Sequence, residues 1–356
     1  MTTTNNAEPF VSVIMPIRNE AGFIEKALRA VLDQDYPRDR MEVLVVDGMS
    51  SDSTREIVAQ IQHRFASLRL LDNPGRIVPT GMNIALREAK GEVVVRVDGH
   101  CEIAPDYVRR CIEHLQEDGA DGVGGPIETI GESYLARGIA VAMSSPFGVG
   151  GAAFRTIEDR RMYVDTVAFP AYTREAIDRA GLYDEELVRN QDDEYNYRLR
   201  KLGGRILLVP DIRSRYYSRS SIKSLWRQYF QYGFWKVRVM QKHSRQMRPR
   251  QFAPPLFVAA LALSLVLSII PQTRLVGSLA LAGIGGSYLV ANLLASLVTA
   301  ARQGWSYLPV LPLAFVALHT GYGLGFCVGL IRFCTRWGDH GGKVPQVGSD
   351  GSATAS

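Results

Sequence analysis

The sequence predicts a two-part molecule: an α/β domain on a mainly parallel sheet, then an amphipathic interface helix and C-terminal helices apolar enough to cross a bilayer. Three observations carry this. Over the first 125 residues short β-branched runs alternate with helical periodicity, the pattern of βαβ units. Residues 198–250 hold fifteen Lys or Arg against one acid, Asp211. Residues 252–331 then run for 80 positions with only two charges, Arg274 and Arg302. The formal charge of +5 is therefore the sum of a strongly basic block and an acidic remainder.

In order, strands are expected at 10–15, 42–46, 68–71, 92–97 and 122–124, and helices at 21–32, 53–65, 79–89 and 105–117. Ligands of such sheets sit at the carboxyl ends of strands where the winding order reverses, so polar residues just after a strand are the ones to inspect. Residues 128–169 lose periodicity and are glycine-rich around Phe147-Gly148-Val149-Gly150-Gly151, as loops over a site would be. Order is expected again at 173–180. A helix at 191–202, closed by Gly203-Gly204, a strand at 205–209 and a long helix at 221–242 follow. The expected divisions are a polar tail 1–9, the α/β domain 10–218, a basic-aromatic interfacial region 219–250, a membrane domain 251–333 and a disordered tail 334–356.

The tail 1–9 lacks the apolar core of a secretory signal, so the α/β domain is expected in the cytosol. The four cysteines show no C-x-x-C spacing, and reduced thiols are the expectation. Segments 253–270, 275–299 and 307–331 each approach or exceed the roughly 20 residues that cross a bilayer core. Three full spans would place Arg332, Arg336 and Lys343 outside, against the positive-inside tendency. One segment is therefore expected to be interfacial or re-entrant: the first, after Pro254-Pro255, or the third, broken by Pro309, Pro312 and His319. On the helix 221–242, Leu225, Tyr229, Tyr232 and Val239 share a stripe with Trp226, Phe230 and Phe234 beside it. Aromatics interleaved with bases suit an anionic leaflet, where each charge contributes on the order of 1 kcal/mol. A core helix with a solvated basic face fits the same pattern. Positive charge confined to a block beside an apolar one disfavours nucleic acid as a partner.

Three motifs carry chemistry. Asp47 ends the second strand, where its carboxylate can meet a nucleotide base or ribose; Asp47-Gly48 is equally a common turn pair. Asp98-Gly99-His100 follows the fourth strand, and residues i and i+2 of an extended segment point to one side. Carboxylate and imidazole then converge on one divalent ion bridging a diphosphate, with Mn²⁺ favoured over Mg²⁺ by the imidazole; a solvated turn is the alternative. In Arg189-Asn190-Gln191-Asp192-Asp193-Glu194-Tyr195-Asn196-Tyr197-Arg198, Asn190 can cap a helix whose first-turn acids suit the macrodipole, or one acid can be a general base.

Taken together, Val11-Ser-Val-Ile-Met-Pro-Ile-Arg-Asn-Glu20, Glu42-Val-Leu-Val-Val-Asp47 with Asp52-Ser-Thr, Ala89-Lys-Gly-Glu92 leading to Asp98, and Asp192-Asp-Glu with Arg198 resemble family 2 glycosyltransferases. The likeness covers about residues 10–240. Arg96-Val-Asp-Gly-His100, Asp192-Asp-Glu-Tyr-Asn-Tyr-Arg198 and Arg227-Gln-Tyr-Phe-Gln-Tyr-Gly233 are similar to the succinoglycan-type glucosyltransferases of exopolysaccharide synthesis. The resemblance implies a GT-A fold, a nucleotide-diphosphate sugar donor and inversion at the anomeric carbon. It implies that Asp47 binds base or ribose, that Asp98 and His100 hold metal and diphosphate, and that Asp192 is the general base. Pro16, Arg18, Asn19 and Glu20 would line the nucleotide pocket; Asp193, Glu194, Arg198, Arg227 and Gln228 would support the site. Gly48, His100 and Gln191 stand where the family most often has acids, and the Q-x-x-R-W element of processive synthases is missing, which favours transfer of a single sugar. The expected acceptor is a lipid-linked or growing glycan, or a polyprenyl phosphate. The expected place is the cytoplasmic membrane, multi-pass, with anionic lipid as a partner. A silent membrane scaffold keeping the GT-A shell is the reading from another class.

Overall fold

The computed structural model describes residues 8–157, 159–339 and 344–345. Most of the expected tails 1–9 and 334–356 therefore lies outside the described residues. The chain separates into two compact units, one of residues 1–128, 157–216 and 342–356, the other of 129–156 and 217–341.

The strands, in chain order, are β1 (Val11–Ile17), β2 (Met41–Asp47), β3 (Leu68–Asp72), β4 (Val93–Arg96), β5 (Cys101–Ile103), β6 (Gly122–Gly124), β7 (Ile127–Ile130), β8 (Met162–Tyr163), β9 (Ala171–Thr173), β10 (Ile206–Leu208) and β11 (Ser214–Tyr217). The main sheet runs β3-β2-β1-β4-β9-β6-β10-β8. β1 pairs in parallel with both β2 and β4, and every residue of β1 and β2 is buried, as expected of strands covered on both faces. β9 enters antiparallel between β4 and β6, and β8 closes the far edge antiparallel to β10. Both are only two or three residues long, too short to show a period in sequence. The winding order reverses between β1 and β4. The loops after β1, β2 and β4, which carry Arg18, Gly48 and Asp98, therefore lie at a topological switch point.

In the second unit residues 131–156 are not loops. Helices form at Tyr134–Met143, Pro146–Val149 and Ala153–Thr156, the first two started by Ser133 and Ser145 each accepting from the backbone N–H three residues on. Their small residues serve close packing: a Cβ on Gly138 would stand 2.7 Å from the Val310 side chain. Ala253–Ile269, Arg274–Gln303 and Leu311–Arg332 are helices, and three helices are long and apolar enough to cross a membrane. The third is continuous through His319. Pro312 lies in its first turn, where a missing N–H leaves no bond unmade.

The basic helix Ile222–Lys242 packs its aromatic side against Leu311–Arg332. Gly321, Gly325 and Gly329 pass so close to the Trp226, Phe230 and Phe234 backbone that a Cβ would meet those carbonyl oxygens at 2.7, 2.0 and 2.7 Å. The aromatics expected to face lipid thus cover a helix instead, and Lys236, Arg238 and Lys242 of the basic block are buried. Arg238 Nη2 lies 3.2 Å from Asp339 Oδ2, and Cys334–Arg336 forms a helical turn, so residues 334–339 of the expected disordered tail are ordered.

Candidate active site

The chemistry-bearing residues of the α/β unit meet around one guanidinium. Arg96 closes β4, its backbone N–H held 2.9 Å from the Pro170 carbonyl, its side chain 8% exposed. Nε and Nη2 reach Asp98 Oδ1 at 3.1 and 3.0 Å, while Nη1 donates to Asp192 Oδ1. Asp192 lies in the first turn of the helix Gln191–Lys201, where the macrodipole favours its charge. Burial dominates nonetheless. It lifts the Asp192 carboxyl above the ordinary carboxylate range despite Arg96, with the charges of Asp98 and Asp193 adding to the rise. The local environment is dense with protein even though a third of the Asp192 side chain, 34%, meets solvent. Tyr183 stacks on Tyr195 with centroids 4.2 Å apart, and burial keeps both phenols neutral.

Asp98 and His100 do not continue the strand. Cys101 N–H donates to the Asp98 carbonyl at 3.1 Å and closes a turn. Glycine is needed at its centre, since a Cβ on Gly99 would meet Glu20 Cγ at 2.9 Å. The turn sets His100 Nδ1 2.9 Å from Glu20 Oε1, with the ring edge-on to Tyr216 at 5.1 Å. A carboxylate partner on Nδ1 places the proton there and leaves the Nε2 lone pair as the ligating one. Among the described residues no three or more His, Cys, Asp or Glu side chains gather so as to hold a metal ion by themselves. Asp98 and His100 with Glu20 behind it nevertheless fit a hard divalent cation that takes its remaining ligands from phosphate and water.

Asp47 is fully buried. Ser50 donates to it through both Oγ and N–H, and Arg55 Nη1 donates to Oδ2 at 2.8 Å. Its carboxylate is thus engaged by Ser50 and Arg55 and ties down the loop that follows β2. The turn after β1 is built on the same loop: Asn19, at φ 54°, donates its N–H to Ser50 Oγ and accepts from Ser51 N–H through Oδ1, and Glu20 N–H donates to Thr54 Oγ1 at 2.8 Å. Pro16 is buried within β1, and Arg18 projects outward with Nη1 3.2 Å from the Arg76 carbonyl. Arg18 also accounts for Gly48, where a Cβ would press on its side chain at 3.2 Å.

The remaining residues divide. Glu194 is buried and accepts from Arg198 Nε and Nη2, while Arg198 Nη2 also donates to the Leu182 carbonyl at 2.9 Å. That pair ties the helix to the 180–182 segment. Asn190 sits at φ 62°, and its side chain makes no cap hydrogen bond to the helix. Asp193 is half-buried beside Asp192. Arg227 and Gln228 belong to the other unit. Arg96 and Arg55 were not assigned roles from sequence. The signal for Arg96 was present as a lone charge ending Val93-Val-Val-Arg96.

A family model described as Glycosyl transferase family 2 matches residues 12–178. The succinoglycan biosynthesis protein ExoA of Rhizobium meliloti (strain 1021) is 31% identical over 331 residues, 91% of this chain and 96% of that protein. The chain belongs to glycosyltransferase family 2. Another relative is the dolichyl N-acetyl-alpha-D-glucosaminyl phosphate 3-beta-D-2,3-diacetamido-2,3-dideoxy-beta-D-glucuronosyltransferase of Methanococcus voltae, 31% identical over 65% of this chain and 74% of its own. Among solved structures, the mannosyltransferase PcManGT from Pyrobaculum calidifontis, in complex with GDP-Man and Mn²⁺, aligns with TM-score 0.56 at 23% identity over 90% of this chain and 88% of its own. The fold of this family 2 glycosyltransferase is thus GT-A, as expected, with C-terminal helices long and apolar enough to span a membrane.

Proposed function

We propose that this glycosyltransferase is attached to the cytoplasmic membrane with its α/β unit in the cytosol. It moves one sugar, with inversion, from a nucleotide-diphosphate donor, a UDP-sugar in preference, to a lipid-linked or growing glycan of cell-surface or exopolysaccharide synthesis. The observation that carries this is Asp98 and Asp192 held on one arginine at the switch point of the sheet. In this reading Asp98 serves the diphosphate side of the donor and Asp192 the acceptor hydroxyl. The relatives in succinoglycan synthesis and on dolichyl-linked sugars support the acceptor class.

Asp192 takes the proton of the acceptor hydroxyl as that oxygen attacks the anomeric carbon opposite the departing diphosphate. Its raised proton affinity makes it a competent base once ionised. Asp98 and His100 Nε2 would hold a divalent cation, Mn²⁺ or Mg²⁺, and when bound it supplies charge stabilisation to the leaving diphosphate. Asn19 and Glu20 shape the nucleotide end through their bonds to Ser50 and Thr54. Anionic lipid is contacted by those bases of 198–250 that are exposed, Arg248 and Arg250 among them.

The deciding experiment presents UDP-glucose, UDP-galactose, UDP-N-acetylglucosamine and GDP-mannose to membranes carrying the protein and analyses the products. Transfer from one donor into a lipid-extractable β-glycoside is expected. Absence of transfer from every donor, or an α-linked product from an α-linked donor, overturns the reading.

A further inference from the structure

We propose that Arg96 is a positioning residue that yokes Asp98 and Asp192, competing with the donor's cation for Asp98 while it holds the base. The inference rests on the roles given to those two aspartates above, and it adds a third group that couples them.

The geometry is asymmetric. Side-chain exposure rises outward, from 8% for Arg96 to 23% for Asp98 and 34% for Asp192, so the guanidinium stands behind two carboxylates that face the opening. It cannot withdraw to solvent. Its backbone is fixed in the sheet by the bond to Pro170 and by parallel pairing opposite Ile14, and it lines one small cavity with Tyr172, Tyr183 and Tyr195. The donors are divided, two N–H groups to one oxygen of Asp98 and one to Asp192. A cation approaching Asp98 from the open side therefore meets a carboxylate whose Oδ1 is already neutralised from behind. Arg96 weakens cation binding and orders Asp192 through one and the same planar group, which a lysine cannot reproduce on two partners at once.

Removing the guanidinium should then move two observables in opposite directions, whereas damage to the fold would weaken both. Full-length protein in lipid nanodiscs is titrated with Mn²⁺ alone, followed by the electron paramagnetic resonance signal of the free ion. The turnover of the nucleotide sugar found active is measured in parallel. Arg96→Met is expected to bind Mn²⁺ at least about tenfold more tightly, because a positive charge adjoining the ligand is gone. Its kcat should fall by about 100-fold, with donor KM nearly unchanged, because the base has lost its anchor. Arg96→Lys should keep Mn²⁺ affinity within about twofold of wild type and still lose at least about tenfold in kcat. Asp98→Ala separates this idea from its foundation. Loss of Mn²⁺ binding in that variant supports the underlying site, and wild-type binding there overturns the site and the yoke with it. With Asp98→Ala defective, unchanged or weaker Mn²⁺ binding in a folded Arg96→Met protein overturns the yoke alone. Where Arg96→Met does not fold, wild-type kcat in Arg96→Lys does the same.

Discussion

Replacing Asp192 by Asn isolates the base with little disturbance to shape. Asp192 uses Oδ1 to accept from Arg96, and Oδ2 accepts no bond from the described residues. An asparagine can keep its carbonyl oxygen toward Arg96 and lose only the outward basic oxygen. A positioned general base contributes about 10² to 10⁴ in rate, so kcat should fall by that factor, about 3–5 kcal/mol in the barrier, with donor KM changed little. The pH dependence supplies a second sign. Burial raises the Asp192 carboxyl, so wild-type activity should climb with pH through a point above the ordinary carboxylate range. Stability runs the other way. The folded protein binds that proton more tightly than the unfolded chain, so stability falls as pH rises from the ordinary carboxylate pKa to the raised one, and Asp192→Asn loses this component of the dependence. Initial rates of sugar transfer and thermal unfolding, each measured across pH, check both statements. A kcat within about threefold of wild type, or an acid limb at the same pH in the variant's residual activity, would refute the assignment.

Glu20→Gln should leave the fold intact and weaken Mn²⁺ binding by about 10- to 100-fold by titration, because the carboxylate that orients His100 is lost. Asp47→Asn should raise donor KM with kcat nearly unchanged and lower the unfolding temperature, since a buried acceptor of Ser50 and Arg55 is removed at a cost of about 1–3 kcal/mol. Gly325→Ala should destabilise the helical unit by about 1–3 kcal/mol or more, read from the fluorescence of Trp226 and Trp235 on heating in detergent, because its Cβ would lie 2.0 Å from the Phe230 carbonyl oxygen. Gly283→Ala, with nothing within 4 Å of the new methyl, is the matched control and should be neutral or slightly stabilising.

Much of the fold was legible because it is written in periods. The buried strands β1, β2 and β4 and the helices between them carry long enough apolar patterns to be placed, and the 80-residue uncharged block announces the apolar helices. β9 was not legible. Three residues hold no period, and its place beside β4 comes from a pairing with partners far along the chain. Residues 131–156 read as loops because glycine signals turns locally, whereas here glycines such as Gly138 let helices approach closely. The helix 222–242 was legible as amphipathic, but not as to what its aromatic face would cover.

The site divides along the same line. The sequence by itself determined the family, the GT-A fold and the order of the acidic motifs, since these depend on residue types at fixed spacings. Only the tertiary structure decided that Asp47 is sealed by Ser50 and Arg55, that Glu194 is spent on Arg198, and that Asp98 and Asp192, 94 positions apart, share Arg96. The physical reason is that a charge buried at the end of a strand must find its counter-charges in space. Those carboxylates are chosen by how the sheet and the helix Gln191–Lys201 come together, not by their distance along the chain.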